Sequence, residues 1–337
     1  MSIRIPKITF RMGNGLIFMS VVFIALSAVN ADWPSQQING SIDSICPGLY
    51  CGRTVLQDGN TSDCGACARG SRPNEFSICK PCDGEPSFYD WLYLGFHVIA
   101  AMVLHWFFID FTNKKKDKKL IILHASAAVE SLFSCVITVL IVEPIGEWRI
   151  NSCGVQKLSD WYTMLYNPSP DYIHTIHCTQ EIVYPLYTMV MIYYAICLVL
   201  MLIVRPVLSW KVANNLGTKS IYAAMYFFPI LTVVQAIFGG LLYYAFPHIT
   251  IVVSVATCAL HFAYMDFQKQ NTKDLIKEAF TKPRQCVIVF GHWILHAYGI
   301  YAITELQNMW LVCFVVVPSF FYIVTVKFTH PDHLNHV

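Results

Sequence analysis

The sequence predicts an all-α integral membrane protein, with about seven transmembrane helices preceded by a small disulfide-rich lumenal domain. Three observations predict this: the composition, the recurrence of long apolar runs, and a knot of cysteines behind an apolar leader. Apolar residues make up 55% of the 337 and charged residues only 13%. A soluble domain carries about 25% charged residues. At a mean hydropathy of +0.49, a single soluble core of this length leaves too much apolar surface in water. The net charge of +2 says little about partners, and no nucleic-acid partner is expected.

Residues 1–31 read as a secretory signal peptide. Arg4, Lys7 and Arg11 form a basic start, Leu16 to Val29 is almost unbroken apolar chain, and small residues at Val29 and Ala31 suit cleavage after Ala31. An uncleaved anchor is the alternative, and either version delivers the following segment to the lumen. Residues 32–87 form the expected cysteine-rich head, containing Cys46, Cys51, Cys64, Cys67, Cys79 and Cys82. The stretch is rich in Gly, Pro, Asp and Ser, and has no apolar run able to build a core. Segments below about 40 residues seldom fold unaided, so cross-links are required. The two CxxC pairs would suggest a zinc ribbon in the cytosol, but behind a signal peptide three disulfides are expected, with open connectivity. The sequons Asn39-Gly-Ser41 and Asn60-Thr-Ser62 agree with a lumenal head. Asn167-Pro-Ser169 is blocked by its proline.

A span needs about 20 mainly apolar residues. Runs of that kind predict helices near 90–110, 120–142, 184–204, 221–243, 248–265, 286–303 and 309–326, within a bundle of 88–327. The fourth and fifth are separated only by a short turn at Phe246-Pro247-His248, and Gly239-Gly240 suggests close helix packing or a bend. Lysine and arginine then orient the chain. Segments 111–119, 205–220 and 266–285 are basic, with Lys114, Lys115, Lys116, Lys118 and Lys119 in the first and Arg205, Lys211 and Lys219 in the second. The loop 143–183 has only Arg149 and Lys157. Positive-inside bias makes the basic loops and the tail 328–337 cytosolic, and loop 143–183 lumenal. Within that loop, Cys153 and Cys178 are expected to pair with each other.

Ionisable groups inside spans are costly and mark functional candidates. His105, Glu130, His292 and His296 stand out, with Gln235 and His261 beside them. His292-Trp-Ile-Leu-His296 puts two imidazoles on one helix face, as a zinc hydrolase would use them. Glu130, Asp110 or His124 would then have to complete the site. Interhelical hydrogen bonding accounts for the same residues without a metal, and no cofactor is expected. A transporter built around Glu130 and the prolines Pro185, Pro229 and Pro318 is a third reading. The aromatic block Ser159-Asp-Trp-Tyr to Tyr172 reads as a lumenal recognition loop or as a lid packed over the helix ends. In the cytosol, Lys114 to Lys119 followed by Leu120-Ile-Ile-Leu123 has the pattern of a kinase-docking peptide, although positive-inside charge explains it as well. Residues 271–282 form an amphipathic helix capped by Asn271, with Leu275, Ile276, Ala279 and Phe280 as its apolar stripe. That helix lies on the membrane or docks a partner.

Several blocks carry a family resemblance. Asp90-Trp-Leu-Tyr-Leu-Gly-Phe96, Leu104-His-Trp-Phe-Phe-Ile109, the SDWYTMLYNPSPDY loop, Ser220 to Ile230, Gly239 to Pro247, His292 to Gly299 and Cys46-Pro-Gly-Leu-Tyr-Cys51 resemble the Jun-kinase-associated membrane protein (JAMP) family. The resemblance runs from about residue 46 to Thr329. It implies an endoplasmic-reticulum protein with seven spans, which the leader and the charge bias orient with a lumenal head and a cytosolic C-terminus. It further implies a non-enzymatic adaptor in ER-associated degradation and the unfolded protein response, with proteasomes, ubiquitin ligases and Jun kinase as partners. It supplies no catalytic residues. The front end, residues 1 to about 43, is longer than in the family, and 258–285 matches it only loosely.

Overall fold

The computed structural model describes residues 45–113, 119–168, 176–213, 216–266, 272–305 and 307–329. The signal segment 1–31, Asn39, the lysines of 114–118, residues 169–172 of the aromatic block, Asn271 and the end of the tail lie outside the described residues. The helices are α1 (Phe88–Thr112), α2 (Leu120–Ile141), α3 (Leu186–Lys211), α4 (Thr218–Asp266), α5 (Thr272–Thr281), α6 (Pro283–Thr304) and α7 (Val317–Thr329). Five of them, α1, α2, α3, α4 and α6, are long and apolar enough to cross a membrane.

The head is stapled rather than packed. Its only described sheet pairs β1 (Ser71–Pro73) with β2 (Cys79–Pro81), antiparallel, with Arg72 opposite Lys80. The turn between them is held by the Asn74 side-chain oxygen, which accepts from the Phe76 and Ile78 amides. Cys46 bonds to Cys64 and Cys67 to Cys79. Gly52 lies against the second bridge, where a Cβ would stand 2.6 Å from both sulfurs, so no larger residue fits. The other two bridges leave the head: Cys51 bonds to Cys178 and Cys82 to Cys153. The expected Cys153–Cys178 pair is therefore replaced, and of the three bridges expected within the head two form there while Cys51 and Cys82 pair with the loop. The loop folds back over the head, as Ser152 N–H to Gly84 O at 2.7 Å shows, and brings each loop cysteine to a head cysteine.

Ser87 and Asp90 begin α1 with reciprocal bonds, Ser87 Oγ accepting the Asp90 amide at 3.1 Å and Asp90 Oδ2 accepting the Ser87 amide at 2.8 Å. Asp90 Oδ1 also accepts the Tyr243 hydroxyl at 2.7 Å, which ties the start of α1 to α4. Helices α1 to α4 share one core, with Tyr93, Trp161, Tyr194, Phe228, Tyr243 and Phe246 at its centre. A smaller core joins α4 to α7 through Cys258, Phe262, Leu275, Ala279, Val289 and Ile323. In lipid such contacts hold helices by van der Waals fit and hydrogen bonds, because there is no water to expel.

Three expected boundaries change. The turn at Phe246-Pro247-His248 is absent, and α4 runs 49 residues through it. Pro247 has no N–H for the carbonyl of Tyr243 one turn back, and the Tyr89 hydroxyl donates to that oxygen instead, at 2.7 Å. The segment 205–220 begins inside α3, which continues to Lys211 despite Pro206. The last apolar run is a 3-10 turn, Met309–Val316, followed by α7. Pro318 supplies no amide to Phe314 O, and the Val317 amide takes that oxygen in the tighter 3-10 pattern.

Candidate functional site

The i, i+4 repeat along α1 puts His97, Ala101, His105 and Ile109 on its buried face. On α2 the same spacing aligns Glu130, Ser134 and Thr138. Each hydroxyl turns back to a carbonyl of its own helix, Ser134 to Glu130 O at 2.8 Å and Thr138 to Ser134 O at 2.7 Å. The Glu130 carboxylate is left free to face α3. There Arg205, with no exposed side-chain surface, donates to Glu130 Oε2 at 2.5 Å. Its other terminal nitrogen lies 3.0 Å from His105 Nδ1. A guanidinium has only donors, so Nδ1 accepts. Ser126 donates to the second carboxylate oxygen at 2.5 Å. The Phe227 and Phe228 rings of α4 meet the His105 ring edge-on at 5.1 and 5.2 Å. One carboxylate and one guanidinium thus balance in a site walled by four helices. Glu130 and His105 are candidates from the sequence, whereas Arg205 was expected in a cytosolic loop and is a correction. The signal that marks it is an arginine four residues beyond the buried Met201 on the same face.

On the head side the SDWY block is a lid in structure. Asp160 is buried and accepts from the Tyr50 hydroxyl at 2.8 Å, from the Gln156 and Lys157 amides at 3.0 and 3.1 Å, and from Arg72 at 3.3 Å. Burial raises the Tyr50 phenol above its ordinary range, so it keeps its one proton and donates it to Asp160, while its oxygen accepts from the Ser159 hydroxyl at 2.7 Å. Gln180 joins the layers: its side chain accepts the Cys67 amide and donates to Tyr50 O, while its carbonyl accepts from Thr163 at 2.8 Å. Trp161 drops into a notch on α4, where a Cβ on Gly240 would meet Trp161 Cβ at 2.8 Å and a Tyr162 ring carbon at 2.9 Å. The Gly239-Gly240 pair, expected to admit a helix or a bend, admits this loop.

The imidazoles of α6 are placed otherwise than a zinc hydrolase requires. The His292 ring nitrogen lies 3.2 Å from Thr257 Oγ1, and its carbonyl accepts from Ser254 at 2.8 Å. Its ring centre is 6.1 Å from that of His261. Among the described residues no group of three or more His, Cys, Asp or Glu side chains could hold a metal. His124 and Asp110 meet each other at 3.3 Å, away from α6, so the hydrolase reading has no support. In α5, Leu275 and Ala279 are buried in the smaller core while Ile276 and Phe280 are exposed, so part of the expected stripe is spent on the chain itself.

The family model for the JNK1/MAPK8-associated membrane protein matches residues 46–331, covering head, loop and bundle together. The chain belongs to that family. The human and mouse JNK1/MAPK8-associated membrane proteins are each 48% identical to it over 305 residues, covering 87% of this chain and 96% of theirs. The Caenorhabditis elegans homologue is 31% identical over 323 residues, 88% of this chain and 98% of its own. No solved structure matches this JAMP-family chain.

Proposed function

We propose that the chain is a non-enzymatic adaptor of the endoplasmic-reticulum membrane, its head lumenal and its C-terminus cytosolic. In this role it gathers proteasomes and ubiquitin ligases for ER-associated degradation under the unfolded protein response, and engages Jun kinase. The observation that carries the reading is the family match over residues 46–331, since the relatives are named for association with JNK1/MAPK8. Four disulfides on the head side support a lumenal head, because such bonds persist in oxidising compartments. Seven crossings belong to this reading, and they require the continuous α4 to bend back on itself near Pro247. At about 1.5 Å per residue, α4 is more than twice the roughly 30 Å hydrocarbon thickness. The 3-10 turn and α7 together reach about 35 Å at their respective rises. Glu130 and Arg205 serve as a lock between helices in this reading, and Asn60, exposed in a tight turn with Asp58, carries a glycan.

Affinity purification of the full chain from mild detergent tests the adaptor role. Co-recovery of proteasome subunits or ubiquitin ligases is expected, and so is recovery of a Jun kinase. Repeated failure to recover the degradation machinery with folded, correctly inserted protein overturns that part of the proposal.

A further inference from the structure

We propose that the pocket between the lid and the first turn of α3 binds the quaternary-ammonium headgroup of a membrane lipid. The pocket has a volume of about 320 Å³ and is lined by Trp161, Tyr162, Tyr187, Glu181, Met164 and Ala236 among others. That volume lies at the small end of the roughly 300–1,000 Å³ usual for small-molecule sites. Three aromatic rings share this concavity with two carboxylates, Glu181 and the Asp160 already engaged by Tyr50, Arg72 and two amides; aromatic rings attract a cation, and the methyl groups of a methylated ammonium need no hydrogen bonds. An unmethylated ammonium could donate to Glu181, but it would leave donors facing the rings unpaired and would lose the methyl contacts with them.

The walls are held in place by the chain itself. The Tyr187 hydroxyl donates to Ala236 O at 3.1 Å, and Tyr162 Oη lies 3.4 Å from the Leu241 amide, so both rings are tethered to α4. The Trp161 and Tyr187 ring centres stand 6.5 Å apart at 62°. Glu181 is fixed as the cap of α3, accepting the Thr188 amide at 2.8 Å and the Thr188 hydroxyl. Pro185 at the N-cap offers no side-chain acceptor, so Glu181 also balances the positive end of that helix.

Position selects a lipid over a soluble ligand. Tyr187 is the second residue of an apolar helix long enough to span, which places the pocket at headgroup depth. Beside it the lid exposes Met164 at 66% and Leu165 at 71%, side chains suited to the acyl boundary. The occupant is therefore a phosphatidylcholine-type lipid with its headgroup among the rings.

Native mass spectrometry of the full-length protein from mild detergent, with phosphatidylcholine and phosphatidylethanolamine of identical acyl chains, tests this. The choline lipid should be retained about five-fold or more over the ethanolamine lipid, as a desolvated cation–π site allows. Glu181→Gln keeps an acceptor for Thr188 but removes the charge, and should abolish the preference. Tyr187→Leu should do the same, and Tyr187→Phe, which keeps the ring, should retain it. Equal retention of the two lipids, a stronger hold on an anionic lipid, or an unchanged preference in a folded Glu181→Gln protein overturns the proposal. Displacement by free phosphocholine at concentrations equal to the lipid's would overturn the assignment to a membrane lipid.

Discussion

Arg205 and Glu130 illustrate what one buried residue demands of another. A guanidinium without exposed surface and a carboxylate 4% exposed are tolerable in a bundle only because each faces the other. Arg205→Ala should therefore cost about 3–5 kcal/mol, since Glu130 loses its charged partner in a buried site and keeps only the Ser126 hydroxyl. The paired change of Glu130→Leu with Arg205→Met should recover most of that loss, because the desolvation of both charges disappears with them. Unfolding in detergent across the four proteins of the cycle measures it, and a double variant as unstable as Arg205→Ala would sink the account. Glu130 and His105 were legible in the sequence because an ionisable group in a long apolar run is conspicuous. Arg205 was not, because a basic residue followed by proline near the end of such a run looks like a flanking charge. Only the continuation of α3 to Lys211 puts it inside.

Between elements, contact depends on small residues and on covalent staples. Gly240 leaves room for Trp161, and Gly240→Ala forces a Cβ to within 2.9 Å of the indole. The expected cost is about 1–3 kcal/mol of overpacking, read as lost protection of the loop from protease. In a Trp161→Ala background the same substitution should cost less but not nothing, because the indole is gone while the residue's own Cβ, at 2.8 Å, and the Tyr162 ring carbon, at 2.9 Å, still face the new methyl group. The staples allow a sharper test. With a protease site inserted in 114–118, the cut fragments should stay together without reductant, held by Cys51–Cys178 and Cys82–Cys153. They should separate in denaturant once reductant is added, whereas bridges confined to the head would release them without it. Apolar runs made most helices legible, since each run reports its own surroundings. Disulfide partners and the occupant of the glycine notch were not, because both depend on how distant segments fold back.

The whole molecule raises the question of how α4 meets the bilayer. The first part of α4 ends where Tyr243 meets Asp90 at the head end of α1, so by that point it has returned to the head side. Its remainder pairs with α6, where a Cβ on Gly299 would lie 3.0 Å from Pro247 O and where Thr257 meets His292. If this remainder re-enters the membrane, the segment that joins it to α5 lies on the side opposite the head. If it does not, apolar side chains such as Val252, 66% exposed, and Leu260, 58% exposed, stand in water. The cost of that exposure, roughly 25 cal/mol for each Å² of apolar surface, favours re-entry and the seven-span count. The sequence predicts two separate helices here but could not foretell that helix persists between them, where the Tyr89 hydroxyl answers the carbonyl that Pro247 leaves open. A sequon inserted after Thr281 should accordingly remain without sugar in microsomes while Asn60 acquires one. Protease added outside the sealed vesicles should cut at the same insertion. A glycan at the inserted site, with the insertion sheltered from protease, would show that α4 crosses once, and would move α5 and its exposed Ile276 and Phe280 to the lumen with the head.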